Sequence, residues 1–165
     1  MKNVTLIALL LFLTSFVKGN YPGKEDSLSF IRFGDTLRFE HENAKCGEWG
    51  GDIEVILIYR GNFTDKIWAV YTKIIMNCDG EDIDNPGKEQ FPKVHKRVSI
   101  GLDEQQLVKQ CIEEIIDNRL KRKPQFTAAG IRNVISLNDC SLIIKDYPSI
   151  EWKQFEILRD KLLIK

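Results

Sequence analysis

The stretch from Asp52 to Asn77 limits the possible folds more than any other. Ile53, Val55, Leu57 and Tyr59 alternate along one side of an extended chain, and Ile56 and Ile58 add apolar bulk to the other. A strand that is apolar on both sides belongs in the middle of a sheet. Gly61-Asn62-Phe63-Thr64-Asp65 follows with turn chemistry, and Lys66 to Asn77 resumes with Ile67, Trp68, Val70, Tyr71, Ile74 and Ile75. Two β-rich runs around a short glycine-containing connection predict an antiparallel hairpin. For a symmetric loop over residues 61–65, facing residues have numbers that total about 126. Cys46 and Cys78 total 124, a slip that a bulge at Gly50-Gly51 would absorb, so a disulfide is expected to close the open end of the hairpin.

The chain has four cysteines, and pairing Cys46 with Cys78 leaves Cys111 with Cys140. Two disulfides are the expectation for an even count in an exported chain. Export is read from the first residues. Met1-Lys2-Asn3 is a short basic start, and Val4 to Val17 is an apolar run broken only by Thr5, Thr14 and Ser15. Val17-Lys18-Gly19 then carries small or β-branched residues at the two positions a signal peptidase inspects, so residues 1–19 are expected to form a signal peptide. The 14-residue run is shorter than the roughly 18–20 residues needed to span a bilayer. After its removal the protein is not expected to be membrane-embedded, and its location is secreted or periplasmic. Cleavage would leave 146 of the 165 residues, one domain over 20–165. Loss of Lys2 and Lys18 leaves 22 basic against 24 acidic side chains, a formal charge of about −2. So balanced a surface gives no footprint for nucleic acid.

The remaining patterns predict α+β architecture: a mainly antiparallel sheet of about four to six strands, packed by two helices and held by two disulfides. Alternation begins at Leu28, breaks at Gly34-Asp35 and continues through Leu37, Phe39 and His41, which predicts a half-buried strand with a kink. Val94, Val98 and Ile100 alternate with His95, Arg97 and Ser99, again as a strand. A helix is predicted over 103–122, with Asp103 as cap, Gln106 completing a capping box, and Pro124 beyond the end. Leu107, Val108, Cys111, Ile112, Ile115, Ile116 and Leu120 recur on one face of it. Two short strands are expected around Asn138-Asp139, then a final helix opened by Pro148-Ser149 with Trp152, Phe155, Leu158, Leu162 and Leu163 on one side.

The densest concentration of unusual residues is Cys46-Gly47-Glu48-Trp49-Gly50-Gly51-Asp52. Three glycines permit positive φ and close backbone approach. Trp49 between Glu48 and Asp52 makes these three the ligand-binding candidates, set against a bulged turn that merely positions Cys46. It is not a phosphate loop, because no Lys-Ser/Thr follows and it leads into a strand. The two histidines, His41 and His95, fall on separate strands, so no metal site is expected where zinc takes three or four ligands. No cofactor motif and no Gly-x-Ser-x-Gly elbow occur. The acidic stretch Asp79, Glu81, Asp82 and Asp84 departs from the EF-hand pattern at Pro86 and Lys93. The basic run Arg119, Lys121, Arg122 and Lys123 sits where cations favour a helix C-terminus. Asn62-Phe63-Thr64 is a glycosylation acceptor in a eukaryotic host.

The functional expectation is therefore an exported binding or inhibitor-type module whose partner is a protein or an envelope component. The alternatives are a small envelope hydrolase using Glu48 or Asp52, and a structural envelope protein without a ligand.

Overall fold

The computed structural model describes residues 28–62, 66–78, 92–123, 127 and 129–165. Six strands, β1 (Thr36–Glu42), β2 (Ile53–Arg60), β3 (Ile67–Ile74), β4 (Pro92–Ile100), β5 (Ile131–Leu137) and β6 (Ile143–Ser149), form one sheet in the order β4-β3-β2-β1-β5-β6. Every neighbouring pair is antiparallel. Helix α1 (Leu102–Lys121) connects β4 to β5, and α2 (Lys153–Ile164) follows β6.

Both helices pack on the same face of the sheet. Alternation sends Leu37 and Phe39 of β1, Ile56 and Ile58 of β2, Ala69 and Tyr71 of β3, and Ile135 of β5 into a core shared with Val108, Cys111 and Ile115 of α1 and Phe155, Leu158 and Leu162 of α2. Trp152 lies at the centre of that layer, fully buried just before α2. Its ring stacks on Phe155 at 4.9 Å and leans on Phe39 at 5.7 Å, while its indole N–H donates to the Cys111 carbonyl at 3.0 Å. The α+β class, the antiparallel sheet, its six strands and the two helices agree with the expectation. Among the described residues no helix is long and apolar enough to cross a membrane. Residues 1–19 and the acidic stretch from Asp79 to Asp84 lie outside the described residues.

Four local expectations need correction. The Cys46–Cys78 disulfide is present, with Cα atoms 5.2 Å apart, but Cys111 and Cys140 are free. Cys111 faces the core from α1, whereas Cys140 is exposed in the turn between β5 and β6. That turn is closed by Cys140 N–H donating to the Leu137 carbonyl at 3.0 Å and Leu137 N–H donating to the Leu142 carbonyl at 3.0 Å, so β6 starts only at Ile143. Cys140 therefore sits beyond the sheet, with nothing to carry it beneath the helix.

Residues 28–35 form turns instead of strand. Leu28 and Ile31 are buried and Phe30 and Phe33 exposed, a spacing of three set by the Ile31 N–H bond to the Leu28 carbonyl at 3.0 Å. Arg60 fastens this turn to β2 through the Ile31 and Leu28 carbonyls. Helix α1 starts one residue earlier than predicted, capped at Gly101, whose N–H donates to Glu104 at 2.8 Å. The carboxylate that completes the cap is thus Glu104, three residues after Gly101. Finally, Pro148-Ser149 belongs to β6, and the last helix begins at Lys153.

Candidate functional site

Three arrangements hold the polar chemistry of the described residues. The first is the turn of the three candidate residues. Gly47–Trp49 make one 3-10 turn, tied at its base by the Cys46–Cys78 disulfide. The Asn43 side-chain carbonyl accepts from the N–H groups of Lys45 (3.1 Å) and Asp52 (3.0 Å), and Cys46 N–H donates to the Gly50 carbonyl at 2.7 Å. A side chain at Gly51 would meet the Asn43 backbone oxygen at 2.5 Å, so the approach needs glycine there. Glu48 is exposed and Trp49 is 75% exposed. Asp52 is mostly buried, and its carboxylate accepts from Met76 N–H at 3.0 Å and faces Lys45 Nζ at 3.5 Å. The turn thus presents Glu48 and Trp49 outward and holds Asp52 to the end of the hairpin.

The second arrangement is a chain of polar groups beneath the helices. Fully buried Asp146 accepts from Arg122 and from the Ser149 hydroxyl, the latter at 2.6 Å. Ser149 Oγ in turn accepts from Asn133 Nδ2 at 2.7 Å, and Asn133 Oδ1 meets His41 Nδ1 at 2.7 Å. In the register His41 stands opposite Glu54, and Glu54 opposite Lys73. Glu54 is held by Lys73 at 3.1 Å and by Arg159 of α2 at 3.3 Å. Burial pushes the Glu54 carboxyl up, but its bonds and charges with Lys73 and Arg159 outweigh this and hold it below the ordinary value. Burial, reinforced by Glu54, pushes the Tyr71 phenol upward. Among the described residues every buried side-chain nitrogen and oxygen has a partner, so this chain has the saturation of a structural network.

The third arrangement is the face of the sheet opposite the helices, which no other described element covers. Val55, Val70 and Val134 lie at its centre. Across β1 and β5, Glu40 stands between Val55 and Val134 and is gripped by both Arg38 and Arg132, while Arg132 also reaches Glu42 at 2.6 Å. Burial opposes the ionised form of Glu40, yet the two guanidiniums hold its carboxyl below the ordinary value. At the hairpin end of the face the surroundings change. Tyr59 and Trp68 are direct cross-strand partners, and Arg97 sits diagonally across from Trp68 on β4. The guanidinium of Arg97 lies 4.4 Å from the Trp68 ring centroid and 5.6 Å from that of Tyr59. With Gly61, Asn62 and Lys66 these three residues line an open cavity of about 470 Å³. Gly61 N–H closes the hairpin on the Lys66 carbonyl at 2.9 Å, beside the cavity.

No protein-family model, curated protein or solved structure gives a significant match to this chain.

The Cys46–Asp52 turn is conspicuous in the sequence, whereas Tyr59, Lys66, Trp68 and Arg97, which the fold brings to one cavity, form no motif in it. Two signals were in the sequence: Tyr59 shares a face with Ile53, Val55 and Leu57, and Arg97 alternates outward from Val98 and Ile100. His41 is half-buried, bonded to Asn133 and 5.6 Å from the Phe155 ring. Among the described residues no three His, Cys, Asp or Glu side chains gather as a metal site would require.

Proposed function

We propose that the protein is a small exported binding module that holds its partner, a protein or an envelope component, on the sheet face opposite the helices. One observation carries the reading. Both helices lie on one face, and the other offers Trp68, Tyr59 and Arg97 beside an open cavity. Aromatic side chains and arginine are the residue types enriched where proteins make their strongest contacts. They supply a large contact area from rings with few rotatable bonds, so little conformational entropy is lost on binding. A Cys46–Cys78 disulfide is compatible with a secreted or periplasmic setting. The hydrolase reading draws no support at Asp52, whose carboxylate is committed to Met76 N–H and Lys45.

The experiment is site-specific photo-crosslinking in the secreted or envelope fraction of the host. A photoreactive residue replaces Ser99 or Thr72 on the face opposite the helices, Glu48 on the 3-10 turn, or Ile157 on the exposed side of α2. Discrete adducts from Ser99 and Thr72, without adducts from Ile157, are expected. Adducts from Glu48 alone would move the site to the turn, and adducts confined to Ile157 would refute the proposal.

A further inference from the structure

We infer that the cavity at the hairpin end of the face opposite the helices is an oxyanion site, taking a carboxylate, sulfate or phosphate carried on a ring-bearing small ligand. This deepens the binding-module reading and rests on it. Among the described residues the lining comprises two cations, Lys66 and Arg97, one side-chain amide, Asn62, two aromatic rings and a glycine, and no carboxylate. Elsewhere on the same face the guanidiniums are neutralised: Arg38 and Arg132 both grip Glu40, and Arg132 grips Glu42 as well. Among the described residues neither Lys66 nor Arg97 is ion-paired. Two cations gathered in one concavity repel each other, and an anion bound between them relieves that repulsion.

Arg97 is also preorganised. Its guanidinium lies over Trp68 and near Tyr59, so the rings restrain a side chain that would otherwise be mobile. Held through ring contacts, the guanidinium keeps its fork of N–H donors available to a ligand. That fork matches the two oxygens of a carboxylate, or two oxygens of a sulfate or phosphate. Lys66, an exposed lining residue, adds a point charge, and Asn62 a donor and an acceptor suited to a hydroxyl. The exposed parts of Tyr59 and Trp68 form an apolar wall for the ring that carries the anion. Size and charge balance limit the ligand. A cavity of about 470 Å³ accommodates one or two rings. The whole chain has 24 basic and 24 acidic residues, so its net charge does not favour a long polyanion over a small anion.

The test titrates the full chain, made without glycosylation because Asn62 lines the cavity, and follows the Trp68 indole N–H and the Arg97 Nε–H by NMR. Four probes are compared: a uronate-containing disaccharide, a sulfated disaccharide, a nucleoside monophosphate and a neutral disaccharide. At least one anionic probe should shift both signals, the neutral sugar should not, and the strongest anion identifies the source of the oxyanion. Arg97→Gln should weaken binding about 10–100-fold, the range expected for loss of a charge-assisted hydrogen bond. Arg97→Lys should restore only part of it, since the charge returns without the planar fork. Lys66→Gln provides a second variant at an exposed position. Silence from all three anions, binding equal to that of the neutral sugar, or binding unchanged by Arg97→Gln would each overturn the inference. Continued crosslinking from Ser99 and Thr72 alongside such a result would leave the binding face standing and remove only the anion site.

Discussion

Replacing Trp152 with alanine removes the largest fully buried side chain among the described residues. A buried aromatic withdraws about 150–250 Å² from water, which at about 25 cal/mol per Å² is worth roughly 4–6 kcal/mol. Measured truncations of buried Phe and Trp to alanine cost about 3–5 kcal/mol. The stacking on Phe155 at 4.9 Å places Trp152→Ala near the top of that range. Loss of the indole N–H bond to Cys111 adds about 1 kcal/mol at most, because a helix-interior carbonyl keeps its own i+4 partner. Trp152→Phe separates the two contributions. It keeps a ring between Phe39 and Phe155, drops the donor and leaves a smaller void, so about 1–2 kcal/mol is expected. Urea unfolding followed by far-UV circular dichroism measures both. With total stabilities of about 5–15 kcal/mol for domains in general, the alanine variant should be close to unfolded. A loss below about 2 kcal/mol for Trp152→Ala, or equal losses for the two variants, would refute the packing argument.

Three other outcomes are expected. Glu54→Gln should cost about 1–3 kcal/mol at pH 7, by stripping charge from a carboxylate held by Lys73 and Arg159. Because the folded Glu54 carboxyl is depressed, the wild-type advantage is full above the ordinary carboxylate value and should vanish as pH falls through the folded value, which paired acid titrations would reveal. Glu104→Ala should cost about 1 kcal/mol by removing the bond to Gly101 N–H, whereas exposed Asp103→Ala should stay within about 0.5 kcal/mol, and chemical denaturation of the pair tests which residue caps α1. A thiol reagent should label Cys140 in the native protein and Cys111 only after denaturant is added, since burial pushes the Cys111 thiol up and shields it; two silent cysteines in denaturant would restore the second disulfide.

Periodic elements were legible and turns were not, for a reason visible in the central hairpin. A symmetric loop over 61–65 centres the pairing so that partner numbers total about 126, but Arg60 pairs with Ile67 and Tyr59 with Trp68, so the totals are 127. A slip of one residue moves a whole strand to the other face. Under the symmetric register Trp68 falls opposite Ile58, on the face that packs the helices, and its meeting with Tyr59 and Arg97 is hidden. The cap of α1 slipped for a related reason. Asp103 has the better capping side chain, yet glycine at 101 takes the cap, with φ of −92°, and Glu104 supplies the bond. The Cys46–Cys78 pairing survived its own slip because the residues between the strands, including Gly50-Gly51, absorbed it. The Cys111–Cys140 expectation rests on elimination and on Cys111 facing the sheet from an apolar stripe, which is correct for Cys111 but leaves the position of Cys140 in its exposed turn undetermined.

Strand order has a consequence for how the chain must be assembled. The first strand lies inside the sheet, and its second neighbour is far along the chain: Leu37 pairs with Leu137. As the chain emerges from its N-terminal end, β1 to β4 can zip together by three successive local pairings, with Cys46–Cys78 already contained within them. Until α1 has crossed over and β5 has arrived, β1 presents a bare edge beside a strand that is apolar on both sides. Unpaired edges of that kind recruit other chains. Long-range closure is also the slow step in such topologies. The interval before β5 docks is therefore when the protein is most exposed to aggregation, and the Glu40–Arg38 pair places charge on the waiting strand during it.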